Sequence, residues 1–403
     1  MNCLHVTASM DQTRGGLSQG IRNTVPELER LGVTNTVVCL DPPDALYPEQ
    51  DTFKIISLGS IGPWAYSSNL IPWLKQNTEQ YTVVVIHGLW LYHSYAATKA
   101  FLWVLNKAKN KDKSIQLFVM PHGMLDPYFQ TAKDRKLKAL RNWVFWKLIE
   151  NKVVNKADGL LFTCQKELEL ARIPFTPYQP KREINVGFGT EEPPAYFTEM
   201  SSAYYSICPQ VKGKNFLLFL SRIHQKKGVD LLVQAYKNLA EKGIDLPYLV
   251  IAGPGLDKPY GADIKQMVEQ SEGIKHKIFF PGMLSGNTKW GAFYECEAFV
   301  LTSHQENFGI AVAEALACGK PVLISNQINI SNEIEEDQAG LVEENTLPAI
   351  EKLLAQWISL PAEEKTTMGE RARLSYEKNF AIASSAKKFY DAIVTENYFD
   401  GNH

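Results

Sequence analysis

CEAFVLTSHQENFGIAVAEALACGKPVLIS, residues 296–325, reads as one complete unit of strand, loop, helix and strand. CEAFVLTS and PVLIS are short β-rich runs, and between them a helical stretch begins near Phe308. The same alternation extends in both directions. Upstream come NFLLFLS, LPYLVIAG and KIFFPG, with helices from about Val229, Ala262 and Lys289; downstream come AGLVEE and a helix from about Pro348. The first half repeats the pattern with NCLHVTA, a helix from about Leu17 to Leu31, TNTVVCL, FKIISLG, TVVVIHG, a helix through Ala96 to Asn106, and IQLFVMP. Strands alternating with helices predict an α/β chain with parallel sheets covered by helices.

Near residue 190 the texture changes. GTEEPPAYFTEMSSAYYSICPQVKGK is polar, carries prolines and shows no clear period, the composition of a linker. The sequence therefore divides into domains at 1–195 and 196–380, followed by a helical tail from Pro361 to Asn397 with a break near Asn379 to Ala381. Two facing doubly wound, Rossmann-like domains hold ligands at their strand carboxyl ends, so the expected site is an interdomain cleft.

The chain has 403 residues, 45% of them hydrophobic, enough for two cores. Its 42 basic and 44 acidic side chains leave a net charge of −2, which gives no general attraction to nucleic acid. Six scattered cysteines without a C-x-x-C pair read as reduced core thiols and point to a cytoplasmic location. MNCLHVTAS reads as a first strand rather than a signal peptide, and the window from Thr82 to Leu105 is too interrupted by His87, Gly88, His93 and Lys99 to span a membrane.

Within the opening stretch, Glu314 sits among Ala311, Val312, Ala313, Ala315, Leu316 and Ala317, so its carboxylate faces burial. A buried carboxylate must be hydrogen-bonded: either paired sugar hydroxyls or a core salt bridge satisfies it. Glu306 stands just ahead of the helix, either as a favourable acid at an N-terminus or beside an anion held by the amides of Asn307, Phe308 and Gly309. In SRIHQKKG, Arg222 and Lys227 follow a strand and can reach one crevice, where two cations suit a diphosphate; otherwise they are solvated. TASMDQTRGGLSQG places Gly15 and Gly16 between a strand and a helix, either a close-approach anion loop or a plain turn. It lacks the G-x-G-x-x-G of a dinucleotide site, so NAD binding stays an alternative only. His87 in VIHGLW and His122 in PHGML each end a strand before a glycine, where a site-lining histidine is favoured over a core one.

PHGML, SRIHQKKG, IAGPG and SHQENFGIAVAEALACGKPV together resemble family 4 of the glycosyltransferases, from Leu4 to about Ile393. The resemblance implies the GT-B fold, a retaining reaction and a nucleotide-sugar donor. Glu314 would bind the ribose hydroxyls, Glu306 the donor sugar, and Arg222 with Lys227 the diphosphate, aided by amides of Asn307, Phe308 and Gly309 and by the Gly15–Gly16 loop. His122 would contact the donor sugar near the reacting centre, and Gly282, Met283 and Leu284 would lie beside the base. Domain 1–195 would face the acceptor, with His87 and Arg135 on that side, 196–380 would hold the donor, and a helix at about 383–397 would pack back on the first domain. EINVGFGTEEPP departs from the family by lacking the usual Pro-Asn-Gly at the end of the first domain.

The implied enzyme moves a sugar from a nucleoside diphosphate, UDP first and GDP second, to a hydroxyl of a glycan or lipid-linked acceptor in cell-surface polysaccharide synthesis. No strand-end D-x-D is present, and helix amides with Arg222 and Lys227 replace a metal, so no cofactor is required. Residues 131–152 mix Lys133, Arg135, Lys136, Lys138, Arg141 and Lys147 with Trp143, Phe145 and Trp146. That segment either rests on the cytoplasmic face of an anionic membrane or holds a lipid-linked pyrophosphate, or else turns its aromatics into the core with its lysines solvated. A nucleotide-sugar epimerase and a non-catalytic sugar-binding homologue are the rival readings.

Overall fold

The structure is a computed structural model and describes residues 1–11, 16–48, 51–107, 115–131 and 136–394. The chain forms two compact units: Met1–Gly189 with the terminal segment from Ile382, and Thr190–Ala381.

The first unit carries a seven-stranded sheet: β1 (Asn2–Thr7), β2 (Thr34–Cys39), β3 (Lys54–Ser57), β4 (Val83–His87), β5 (Gln116–Met120), β6 (Gly159–Phe162) and β7 (Glu183–Asn185). All pairings are parallel, in the order β3-β2-β1-β4-β5-β6-β7. Side chains alternate between the two faces. Leu4, Val6, Val84, Ile86, Leu117 and Val119 fill one core, while Val37 and Cys39 face Met10, Ile21 and Val25 on the other side. Each such side chain contributes about 1.5–3 kcal/mol on full burial. His5 is in register with Val37, and Thr7 with His87, so His5 and His87 share that second face. The helix Ile382–Val394 packs on the helix Gly16–Arg30 within this unit.

The second unit has six parallel strands: β8 (Phe216–Leu220), β9 (Tyr248–Ala252), β10 (Ile278–Gly282), β11 (Ala298–Leu301), β12 (Val322–Ser325) and β13 (Gly340–Glu343), in the order β10-β9-β8-β11-β12-β13. Pro281 is accommodated because β10 lies at the sheet edge. In both sheets the order reverses between the first strand and the fourth, a topological switch point where the strand ends part and leave a crevice.

Two readings need correction. The division falls at Gly189/Thr190 rather than 195/196, because Thr190 donates its N–H to Phe380 O and accepts the Tyr376 hydroxyl on its own carbonyl, both inside the second unit. The stretch read as linker contains the helix Thr198–Ile207, with Met200 and Tyr204 buried against the helix Gly286–Glu295. Its polar residues hid it. Ser201 and Tyr205 donate to the Glu295 carboxylate instead of facing solvent, which blurs the apolar period.

Of segment 131–152, Lys133 and Arg135 lie outside the described residues, and from Lys136 the chain forms a helix, Lys136–Phe145, a π turn, Trp146–Glu150, and the start of a helix, Asn151–Lys156. Trp146 is fully buried and stacks on Phe175 at 4.7 Å, whereas Leu137, Leu140, Trp143 and Leu148 stay exposed at 85%, 60%, 53% and 67%. The aromatics are thus divided between core and surface. Among the described residues no helix is long and apolar enough to cross a membrane.

Candidate functional site

The switch point of the second sheet gathers most of the charged candidates. After β8 the chain turns through a short 3-10 segment, Gln225–Lys227, into the helix Val229–Glu241. Gly228 at that junction has φ 65°, and a Cβ there would lie 2.0 Å from Thr302 O, so glycine alone lets the turn approach the end of β11. The contact is fixed by hydrogen bonds: Thr302 Oγ1 donates to Gly228 O at 2.8 Å and His304 N to Lys226 O at 2.8 Å. Asn345 Nδ2 donates to both Thr302 O and Ser303 O, tying the loop to the end of β13.

This clamp brings Lys227 and Glu306 into an ion pair, with side chains 13% and 19% exposed. Arg222 lies on the same strand-to-helix connection, exposed, and its guanidinium has no hydrogen bond or ion pair among the described residues. Gly309, at φ 83°, starts the helix Ile310–Ala317. One turn in, Glu314 Oε1 accepts from Lys289 Nζ at 2.6 Å, and its Oε2 has no hydrogen-bond partner among the described residues. Burial pushes this carboxyl up, and Lys289 pulls against it. Of the two ways to satisfy Glu314, the ion pair is the one present. Lys289 stands on the helix Gly286–Glu295, which follows directly on Gly282, Met283 and Leu284 at the end of β10; Met283 is 74% exposed and Leu284 buried.

In the first unit, His87 and His122 meet: His87 Nδ1 and His122 Nε2 are 3.0 Å apart. His122 has φ 52° and Gly123 φ 77°, and the turn is held by Gly123 N donating to the buried Glu167 carboxylate at 2.5 Å. His87 Nε2 is 2.9 Å from Nδ1 of His5, a residue that sequence reasoning passed over. A histidine inside the otherwise apolar β1 was the available signal. Lys289 and Asn345 had none, since their roles depend on which helix and strand end lie beside the loop. Gly16 opens the helix Gly16–Arg30, while Gly15 and Arg135 lie outside the described residues.

Chemically, the second unit offers cations and carboxylates at one crevice, fit for a charged ligand with hydroxyls; the first offers neutral imidazoles. Residues 208–375 match the family described as Glycosyl transferases group 1, and residues 15–178 match the Glycosyl transferase 4-like domain. The chain is 27% identical over 187 residues to alpha-monoglucosyldiacylglycerol synthase of Streptococcus pneumoniae, covering 46% of this chain and 41% of that one. It is 26% identical over 171 residues to a putative colanic acid biosynthesis glycosyltransferase, WcaL, of Escherichia coli, covering 41% of each. These matched stretches span about two fifths of each relative. The crystal structure of Anabaena HepE in complex with UDP and glucose superposes over 98% of this chain and 100% of that one, with a TM-score of 0.72 at 15% identity, a likeness of fold.

Proposed function

Because the chain belongs to the glycosyltransferases of group 1, with a glycosyl transferase 4-like first domain and the GT-B fold, we propose that it is a retaining enzyme. It moves a sugar from a nucleoside diphosphate to a hydroxyl of a glycan or lipid-linked acceptor in cell-surface polysaccharide synthesis, without a divalent metal. The observation that carries the reading is the pairing of Lys227 with Glu306 at the β8/β11 switch point, eight residues ahead of the part-buried Glu314.

When donor binds, Lys227 and Arg222 take the diphosphate, with amides of Asn307, Phe308 and Gly309 and the Gly15–Gly16 loop adding donors. Glu306, relieved of Lys227, accepts from the sugar hydroxyls. Glu314 keeps Lys289 on Oε1 and offers Oε2 to the ribose, and Gly282, Met283 and Leu284 flank the base. The bond from the anomeric carbon to phosphate breaks as the bond to the acceptor oxygen forms on the same face, and the acceptor proton passes to the departing phosphate oxygen. The cations stabilise charge where it develops, in the leaving group. His122 contacts the sugar, with His87 and Arg135 on the acceptor side.

UDP is the first donor expected and GDP the second; the solved complex of HepE with UDP and glucose supports that order. The names of the relatives, a glycolipid synthase and a colanic acid enzyme, support a lipid-linked or polysaccharide acceptor. The exposed stripe Leu137, Leu140, Trp143 and Leu148, flanked by Lys136, Lys138, Arg141 and Lys147, supports docking on an anionic membrane at its cytoplasmic face. The deciding experiment follows the anomeric proton by NMR in a panel of UDP-, GDP- and ADP-sugars. Slow hydrolysis, or transfer with an acceptor present, is expected; isomerisation of the free nucleotide sugar would overturn the reading in favour of an epimerase.

A further inference from the structure

His122 is the surface end of a continuous hydrogen-bonded chain through the first unit: Asn35, His5, His87 and His122, with heavy-atom separations of 3.1, 2.9 and 3.0 Å. Asn35, His5 and His87 are buried, and His122 is partly exposed. The far end has one orientation. Asn35 Nδ2 donates to Val33 O at 3.0 Å, and a carbonyl can only accept, so the atom turned toward His5 is Oδ1. Oδ1 requires a proton on His5 Nε2. A neutral ring then has a bare Nδ1, which must accept from His87 Nε2–H; His87 Nδ1 in turn accepts from His122 Nε2–H.

We propose that Asn35, His5 and His87 are positioning residues that lock His122 in its Nε2–H tautomer and so present an unprotonated Nδ1 as a hydrogen-bond acceptor for a substrate hydroxyl. The proposal rests on the reading that His122 faces the sugar. Burial supports the neutral state, pushing His5 down to about 4 and His122 below its ordinary range. Around the chain, the Phe389 ring lies over His5 from the terminal helix, His93 Nε2 meets the His87 carbonyl, and the Glu167 carboxylate accepts from the Gly123 and Thr163 amides. His122 Nδ1 has no hydrogen-bond partner among the described residues.

The test is a two-bond proton–nitrogen correlation spectrum of the histidine rings in the full 15N-labelled chain at pH 7.5. His5, His87 and His122 should all show the Nε2–H pattern, and Asn35→Leu should convert His122, two rings away from the lesion, to a tautomer mixture with the backbone spectrum otherwise retained. Asn35→Asp keeps an acceptor against His5 and should restore the single tautomer. A proton on His122 Nδ1 in the unaltered protein overturns the proposal even if Asn35→Leu fails to fold, as does a His122 signal indifferent to that substitution in a folded variant. A separate arm addresses the underlying reading: His122→Phe should lower transfer at least tenfold with whichever donor the panel identifies. Undiminished transfer would remove His122 from the site and leave the tautomer result standing.

Discussion

The two sheets share one strand order, one switch point and one direction of every strand, yet their switch points are electrically opposite. In the second unit the crevice holds formal charges in pairs, Lys227 with Glu306 and Lys289 with Glu314. In the first, the same position holds His5, His87 and His122, which burial keeps neutral. Topology thus sets where each unit can meet a ligand, and a few side chains set which ligand chemistry each crevice suits. Paired charges can re-pair with a diphosphate; neutral rings can bind an uncharged hydroxyl without the cost of desolvating an ion.

The sharpest way to break this contrast is to remove charge from one side. Glu306→Ala should lower transfer by about 10²–10³ in kcat while nucleoside diphosphate affinity, measured by calorimetry, stays within about threefold. Equal losses in both would make Glu306 a folding residue instead.

Acid should discriminate between the units. For His5, a folded value near 4 against 6.5 means the unfolded chain binds the extra proton, so stability is full above pH 6.5 and falls as pH drops toward 4, by about 3 kcal/mol. His93 behaves likewise, pushed down to about 4. Hydrogen exchange at pH 5 should therefore open the first unit before the second; simultaneous opening would contradict the neutral interior.

Glu150 works in the other direction. Its carboxylate is fully buried, accepts from Trp90 N and Ser94 Oγ on one oxygen, has its other oxygen unpartnered, and is pushed up to about 7. Here the folded state holds the proton, so stability declines as pH rises from 4.5 through 7. Glu150→Gln should be close to neutral at pH 4.5 and stabilising by about 3 kcal/mol at pH 8 in chemical denaturation. The smallest effect expected is on nucleotide binding. Glu314→Ala should weaken UDP affinity by about tenfold, roughly 1.4 kcal/mol, and unchanged affinity would leave Glu314 only its ion pair with Lys289.

Periodicity made the first five strands of the first sheet and all six of the second readable from the amino-acid order, because parallel strands buried on both faces are near-continuous apolar runs with helices between, but it passed over the short β6 and β7. It failed at Thr198–Ile207, whose hydroxyls satisfy Glu295 rather than water. The partial burial of Glu314 was legible from its neighbours, and its partner was not: Lys289 is 25 positions away, and only the packing of two helices brings it there. Trp146 and Trp143 looked alike in sequence, yet the π turn beginning at Trp146 sends one into the core and leaves the other outside.

The closing of the first unit by the segment from Ile382 has a consequence for order in time. The second unit is one continuous stretch whose ends meet, Thr190 bridging Ala381, so a growing chain can complete it as soon as residue 381 is free. The first unit, although its first 189 residues are synthesised earlier, lacks the helix that packs on Gly16–Arg30 and sets Phe389 against His5 until Ile382–Val394 has left the ribosome. The part made first is finished last, and His5 lacks its Phe389 contact for the whole synthesis of the neighbouring unit.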